Sequence, residues 1–218
     1  MFIRANLEAR GYIVHLAQDG VEACEAAERF LPDVIILDVN MPGMDGIEAC
    51  RRIREWADMP IIILSVRGDE SDKVKALDEG ADDYITKPFG IEELLARIRV
   101  ALRHSSGTAG AAPTLTAGDL EVDRVHRIAT LRGDLLKLTR TEYELLVYLM
   151  SNGDKVLTHR DILHNVWGPD YGDEREYVRV FIGQLRRKIE DDPSNPRYIL
   201  TESRIGYRFT KPAQASAE

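Results

Sequence analysis

Three polar residues of different chemistry stand at the ends of short apolar runs. Asp38 follows IIL, Ser65 follows IIIL, and Lys87 follows YIT. In an open parallel sheet the chemistry lies beyond the carboxyl ends of the strands, so these side chains are expected to meet at one rim. Singly, each could be a cap, a loop contact or a solvated charge. Together, a carboxylate, a hydroxyl and an ammonium predict a site that accepts a phosphoryl group, because the transferred charge needs a cation and donors.

Alternating helical and extended patterns predict how these residues are positioned. Helical spacing covers 2–10, 20–30, 46–56, 70–79 and 91–102, and short apolar strands cover 12–17, 34–37, 61–66 and 82–86. Strands that are apolar without alternation are typical of a parallel sheet covered by helices on both faces. The first half is therefore predicted to be an α/β domain with a doubly wound parallel sheet.

The composition is that of an ordinary soluble protein. The 218 residues are 44% hydrophobic and 30% charged, and no apolar run approaches the roughly 18 to 20 residues of a membrane span. With two cysteines, Cys24 and Cys50, no disulfide framework is indicated. We expect a cytoplasmic protein without a membrane partner. The net charge of -8 belongs to residues 1–112, with 13 basic and 20 acidic residues, whereas 113–218 carry 16 and 17.

The length favours two domains. The Gly/Ala-rich stretch HSSGTAGAAPT has the composition of a flexible tether, so we place a first domain at 1–104 and a linker at 105–114. A second domain follows at 115–212, with a tail at 213–218. Its pattern predicts short alternating strands, then helices over 141–151, 159–166 and 174–190, and a closing hairpin over 197–210.

The last of these helices has two different faces. An apolar stripe at 3-to-4 spacing consists of Val178, Ile182, Leu185 and Ile189, which are expected to face a core. The other side is a cationic ridge that fits a major groove: Arg175, Arg179, Gln184, Arg186, Arg187 and Lys188. A basic helix end favoured by the helix dipole would explain only the last turn.

The segments LDVNMPGMDG, ILS and DDYITKPF resemble the receiver domain of two-component response regulators. The resemblance implies a flavodoxin-like fold in which a sensor histidine kinase phosphorylates Asp38. It further implies that Ser65 and Lys87 hold the phosphoryl group, that Tyr84 is a switch aromatic, and that Asp38 and the backbone carbonyl of Asn40 bind Mg²⁺.

Receivers begin with another strand that ends in adjacent Mg²⁺-binding acids, and this sequence has neither. A single carboxylate is a poor Mg²⁺ site, and the strand at 12–17 would lose its neighbour. We therefore expect a truncated sequence whose translation begins upstream, with Mg²⁺ as cofactor if the acid pair exists there. The alternative is a degenerate receiver that is not phosphorylated. The intact mass of the native protein decides between them.

The segments LTRTEYELL, VLTHRDIL, VW and GYRF resemble the winged helix-turn-helix domain of the OmpR/PhoB subfamily. Within that subfamily, residues 70–105 and 156–171 look most like KdpE-type regulators, which control potassium uptake. The resemblance implies that the third helix enters the major groove and the wing touches the minor groove. Base-edge candidates are then Arg179, Val180 and Gln184, with Arg186 at a phosphate. Wing contacts are Thr201, Ser203 and Arg204.

The same subfamily dimerises through a charged face of its receiver. The resemblance implies three pairs between two chains: Lys73 with Glu93, Asp82 with Arg99, and Asp83 with Arg97. The competing interpretation is a solvated face, because exposed ion pairs contribute only about 0 to 1 kcal/mol each.

These features predict a transcriptional regulator rather than an enzyme, with promoter DNA, a histidine kinase, a second copy of the chain and RNA polymerase as partners. Two alternatives stay open. One is a phosphatase or other hydrolase with Asp38 as nucleophile, which turnover of a phosphoester would favour. The other is a phosphorylation-independent winged-helix factor whose degenerate receiver only dimerises. Asp38→Asn should abolish stimulated DNA binding in our interpretation and change little in the second alternative.

Overall fold

The computed structural model describes residues 2–66, 68–102, 112–172 and 174–211. The chain divides into two compact units between residues 103 and 104. Most of the predicted linker and the whole predicted tail lie outside the described residues. No helix within the described ranges is both long enough and apolar enough to cross a membrane.

The first unit is a parallel sheet with helices. Its strands are β1 (Ile35–Asp38), β2 (Ile61–Ser65) and β3 (Asp83–Thr86), in the order β1-β2-β3. Its helices are α1 (Phe2–Glu8), α2 (Gly20–Phe30), α3 (Gly46–Arg54), α4 (Glu70–Asp78) and α5 (Ile91–Leu102). The central strand β2 is buried along its whole length, and Ile62, Leu64 and Ile85 form a core with Leu94 and Ile98 of α5. This arrangement confirms the predicted α/β class.

The strand predicted at 12–17 is absent. These residues follow α1 without joining the sheet, and the side chain of Ile13 is 88% exposed. Apolar residues favour a strand only where a neighbouring strand completes the hydrogen-bonded ladder. In the described part of the chain β1 pairs only with β2, and segment 12–17 does not pair with the other edge of β1.

The second unit begins with an antiparallel sheet of four strands in sequence order: β4 (Thr114–Ala117), β5 (Leu120–Asp123), β6 (Ile128–Leu131) and β7 (Asp134–Leu135). Three helices follow, α6 (Arg140–Ser151), α7 (His159–Val166) and α8 (Arg175–Ile189). A smaller sheet of order β8-β10-β9 contains β8 (Val156–Thr158), β9 (Ile199–Glu202) and β10 (Gly206–Phe209). The antiparallel hairpin of β9 and β10 is called the wing below.

Local sequence signals determine where these helices begin. Thr139 and Thr158 each form a reciprocal capping box with the acid three residues later, Glu142 and Asp161. The side chain of Thr158 thus caps α7 by accepting from the Asp161 N–H. The apolar stripe of α8 is buried as predicted, which leaves the opposite side of the helix for other contacts.

Candidate functional site

Asp38 and Lys87 meet at the carboxyl end of the sheet. Asp38 is the last residue of β1, and Lys87 directly follows β3. The Lys87 ammonium forms an ion pair with Oδ2 of Asp38, while Oδ1 accepts a 3.0 Å hydrogen bond from the backbone N–H of Asn40. The Asp38 side chain remains 34% exposed and the Lys87 side chain 30% exposed. The strand ends thus bring these two side chains together, as the sequence pattern predicted, and the Asp38 carboxylate is accessible to a reagent.

Ser65 and Tyr84 belong to the neighbouring strands. Ser65 ends β2, opposite Thr86 of β3, and its backbone carbonyl accepts a 2.6 Å hydrogen bond from the Lys87 N–H. The Ser65 side chain is buried at this rim, and the Tyr84 ring is buried within the unit. Asp38, Ser65 and Tyr84 therefore belong to one three-stranded sheet, and Lys87 directly follows its last strand.

Gly46 is a site residue to which the sequence patterns assigned no role. A Cβ atom on Gly46 would lie 2.2 Å from the backbone oxygen of Asp38, a distance that no side chain tolerates. The Gly46 N–H donates to the Val39 carbonyl at 3.3 Å, and Asp45 caps α3 by accepting from the Glu48 N–H. Only glycine lets α3 begin this close to Asp38. The signal was present as the last residue of NMPGMDG.

Magnesium would find few ligands among the described residues. They contain no group of three or more His, Cys, Asp or Glu that could hold a metal ion. Two nearby acids are already used as helix caps, Asp19 for α2 and Asp45 for α3. Asp38 is left as a single carboxylate that already binds Lys87. Because Mg²⁺ needs a near-octahedral oxygen shell, the residues present do not by themselves fit the ion.

The predicted dimer face is already engaged within one chain. Asp83 accepts from Arg97 at 3.3 Å, and Arg97 also lies 3.6 Å from Glu93. Asp82 is only 5% exposed and binds Arg54 of α3 at 2.5 Å. The predicted pairing of Asp82 with Arg99 of a second chain therefore conflicts with the geometry, because Asp82 is enclosed by its own chain. Arg99 itself is exposed, and Lys73 is half-buried.

The exposed side of α8 differs from the predicted ridge. Arg175, Arg179 and Arg187 are exposed at a spacing of four or eight residues. Val180 and Gln184 were predicted at base edges, but each is only 8% exposed. Val180 lies about 100° around the helix from Arg179, and both Val180 and Gln184 are buried within the unit. As base-edge contacts Val180 and Gln184 are disfavoured, and the open position between Arg179 and Arg187 is Gly183.

Lys188 and Arg186 are also engaged within the unit. The Lys188 ammonium binds the buried Glu142 carboxylate at 2.6 Å and the Lys137 carbonyl at 2.8 Å. Arg186 donates to the Ile199 carbonyl in β9. The ridge was predicted from helical spacing, which contains no information about partners on other elements. Of the six predicted ridge residues, the exposed ones are therefore Arg175, Arg179 and Arg187.

The wing places its predicted contact residues outward. Thr201, Ser203 and Arg204 are all exposed, and Arg204 lies in the turn with a φ of 67°. At the start of β10, a Cβ on Gly206 would lie 1.9 Å from the Leu157 carbonyl oxygen of β8. Glycine at this position lets the wing pair closely with β8, so the turn is held against a fixed strand.

His159, to which the sequence analysis assigned no role, lies between the wing and α8. Its Nδ1 is 3.1 Å from the Ile205 carbonyl oxygen, and its ring meets Tyr207 edge-on with 5.5 Å between centroids. Burial lowers the pKa of His159 below its ordinary value of 6.5, and the positive charges of Arg179 and Arg175 lower it further. A single histidine at a helix start gives no sequence signal for such a position.

Known proteins share both units. Residues 1–99 match the response regulator receiver domain, and residues 133–209 match the domain described as transcriptional regulatory protein, C terminal. The KDP operon transcriptional regulatory protein KdpE of Escherichia coli (strain K12) is 46% identical over 208 residues, which are 95% of this chain and 92% of that protein. Response regulator MprA of Mycobacterium sp. (strain KMS) is also 46% identical, over 94% of this chain and 90% of that protein.

Among solved structures, a RitR mutant is similar over 97% of this chain and 93% of its own, with a TM-score of 0.75 and 30% identity. This similarity covers both units of the chain. The chain therefore belongs to the OmpR/PhoB-type, DNA-binding response regulators of two-component systems.

Proposed function

We propose that phosphorylation of Asp38 by a sensor histidine kinase controls how strongly this regulator occupies promoter DNA. The observation that carries the proposal is the ion pair between Lys87 and an accessible Asp38 carboxylate. A carboxylate oxygen attacks phosphorus, and the new O–P bond forms as the P–N bond of the kinase phosphohistidine breaks. Lys87 then balances the added negative charge, and Ser65 supplies a hydroxyl donor.

The signal would pass from this rim to the charged face. The acyl phosphate formed on Asp38 carries about -1.5 to -2 charges, so it replaces the carboxylate as the anionic partner of the Lys87 ammonium. The Lys87 N–H is bonded to the Ser65 carbonyl, and Tyr84 lies three residues before Lys87 on β3. We therefore assign Tyr84 as the switch residue whose movement alters the neighbouring Asp83 and Arg97.

The altered face would pair two chains. Lys73 with Glu93 is the pair we retain, with Arg99 as an additional exposed cation, whereas Asp83 and Arg97 are paired within the chain. Asp82 is left out because Arg54 binds it within the chain. Pairing brings two winged helices to adjacent half-sites, and the second helix then binds at a high effective concentration.

DNA recognition is assigned to the exposed positions. Arg179 at the middle of α8 is the base-edge candidate, Arg175 and Arg187 are phosphate candidates, and Thr201, Ser203 and Arg204 are wing contacts. Phosphate contacts set the affinity and its salt dependence, whereas base contacts set sequence specificity. RNA polymerase is a further proposed partner at the promoter, and the site of action is the cytoplasm.

Receiver domains of this family use Mg²⁺ in phosphoryl transfer. In the described chain the Asp38 carboxylate and the Asn40 carbonyl are the proposed contributors to such a site. They do not complete it, because Mg²⁺ needs a near-octahedral shell of oxygen ligands, and further oxygen ligands would be required.

The genes controlled are proposed from the relatives. The KdpE relative regulates a KDP operon by its name, which favours a KdpE-type role in potassium uptake. The MprA relative of Mycobacterium sp. (strain KMS) is also 46% identical, so a different set of genes is the second candidate. Sequencing the genomic fragments that the phosphorylated protein protects would distinguish these two roles.

Treatment with a small acyl phosphate, followed by intact-mass measurement, tests phosphorylation directly. The wild-type chain should gain one phosphoryl group and Asp38→Asn none, while Asp33→Asn, which changes an acid outside the site, should behave as wild type. Phosphorylation of Asp38→Asn to the wild-type extent would refute Asp38 as the acceptor. Continuous turnover of a small phosphoester would instead support the hydrolase alternative.

A further inference from the structure

Two side chains near the end of α8 hold a single residue of the wing. Arg186 donates to the Ile199 carbonyl oxygen from Nε at 3.0 Å and from Nη2 at 2.6 Å. Glu190, one turn later, accepts from the Ile199 N–H at 2.9 Å. Both backbone polar groups of Ile199 are thus bonded to side chains from the end of the helix that reads DNA.

The contacts extend along the start of the wing strand. Nη2 of Arg186 also donates to the Thr201 hydroxyl at 2.8 Å. Glu190 accepts from the N–H groups of Arg197 at 2.7 Å and Tyr198 at 2.9 Å. Glu190 is the residue that ends α8 in an extended conformation. One carboxylate and one guanidinium therefore fix the register of the wing against the helix.

Arg186 is poorly placed for a second task on DNA. Its side chain is half-buried, burial lowers its pKa, and its guanidinium lies 5.8 Å from the Tyr207 ring centroid. Nε and Nη2 of the guanidinium are committed to Ile199 and Thr201. Removing it would leave the buried Ile199 carbonyl without these donors.

We propose that Arg186 and Glu190 form a clamp that positions the wing relative to α8 and does not itself contact DNA. The inference rests on the proposed role of α8 and the wing in DNA recognition. Lysine should not replace Arg186, because a point-like ammonium lacks the planar fork that binds one carbonyl twice and a hydroxyl at the same time.

The test uses the full chain and a duplex that the wild-type protein selects from a random-sequence pool. Arg186→Ala and Arg186→Lys should both lose the wing footprint in the minor groove but keep major-groove protection. In a double-mutant cycle, Arg204→Ala should add no more than about twofold to the effect of Arg186→Ala, because both remove the same contact. Glu190→Gln, which keeps the shape of the side chain, should also weaken the wing footprint. Thermal melting confirms that each variant is folded.

A direct phosphate contact by Arg186 gives different results. Arg186→Lys would then bind nearly as wild type, the effects of Arg186→Ala and Arg204→Ala would multiply, and the wing footprint would persist. Any of these outcomes overturns the clamp. Arg179→Ala distinguishes failure of the clamp from failure of DNA recognition by α8. If it weakens binding while Arg186→Ala keeps the wing footprint, only the clamp fails; if Arg179→Ala has no effect, the assignment of α8 to DNA fails as well.

Discussion

Replacing Asp82 with alanine tests whether this residue serves its own chain or a partner chain. The Asp82 carboxylate lies just before β3 and accepts from Arg54 at 2.5 Å and from the Ile61 N–H at 2.9 Å. Arg54 also donates to the carbonyl oxygens of Gly80 at 2.8 Å and Met59 at 2.6 Å. One guanidinium thus ties α3 to the segments that precede β2 and β3.

The expected magnitude follows from burial. Both side chains of the pair are at most 10% exposed, and removing one partner of a buried ion pair costs about 3–5 kcal/mol. Because Arg54 keeps two backbone carbonyls after the substitution, we expect the lower end, about 3 kcal/mol. Glu92→Ala is the matched control. Its pair with Arg10 is 3.1 Å long but exposed, and its loss should cost no more than about 1 kcal/mol.

Hydrogen exchange of the full chain, followed in peptides from β2, reports the opening free energy of the first unit separately from the second. Asp82→Ala should lower that free energy by about 3 kcal/mol, while Glu92→Ala leaves it near the wild-type value. Wild-type exchange in Asp82→Ala, combined with weaker self-association of the phosphorylated protein, would refute the reasoning. Asp82 would then be a dimer contact after all.

Three further predictions concern other contacts. Gly46→Ala should slow phosphorylation and lower stability by about 1–3 kcal/mol, because its Cβ would overlap the Asp38 backbone oxygen; intact-mass time courses and melting measure both. Glu142→Ala should lower the stability of the second unit by about 1–2 kcal/mol, because it removes half of the capping box of α6 and the carboxylate that binds Lys188, whose ammonium keeps the Lys137 carbonyl; urea unfolding followed by Trp167 fluorescence measures the loss. The folded state binds a proton at His159 less tightly than the unfolded chain, so the stability of the second unit should fall as pH drops through about 6.5. His159→Gln should flatten this pH dependence in thermal melts recorded at a series of pH values.

The fold could be predicted where local signals decide it. Capping residues such as Asp19 and Thr158 mark helix starts through bonds within three residues, so the starts of α2 and α7 are set by local sequence. The strand predicted at 12–17 was wrong because strand formation depends on a neighbour distant in sequence. The apolar pattern of YIVHLA contains no information about whether that neighbour is present.

The site residues also fall into two groups, those that sequence patterns predict and those that depend on contacts with distant elements. Strand ends in a parallel sheet converge by geometry, so Asp38 and Lys87 could be paired from their positions alone. Helical spacing identified the buried stripe of α8 but gave too narrow a buried face, because α8 packs against α6, α7 and the wing. Gln184 and Lys188 were therefore assigned to an exposed ridge, although one is buried and the other pairs with Glu142.

The central claim is that phosphate on Asp38 sets DNA occupancy. The most direct measurement is the affinity of the full chain for a labelled duplex with two selected half-sites, before and after acyl-phosphate treatment. We predict that treatment tightens wild-type binding by at least about tenfold through pairing of two chains and leaves Asp38→Asn unchanged. Equal tightening in Asp38→Asn, or none in a wild-type protein shown by mass to be phosphorylated, would contradict the claim.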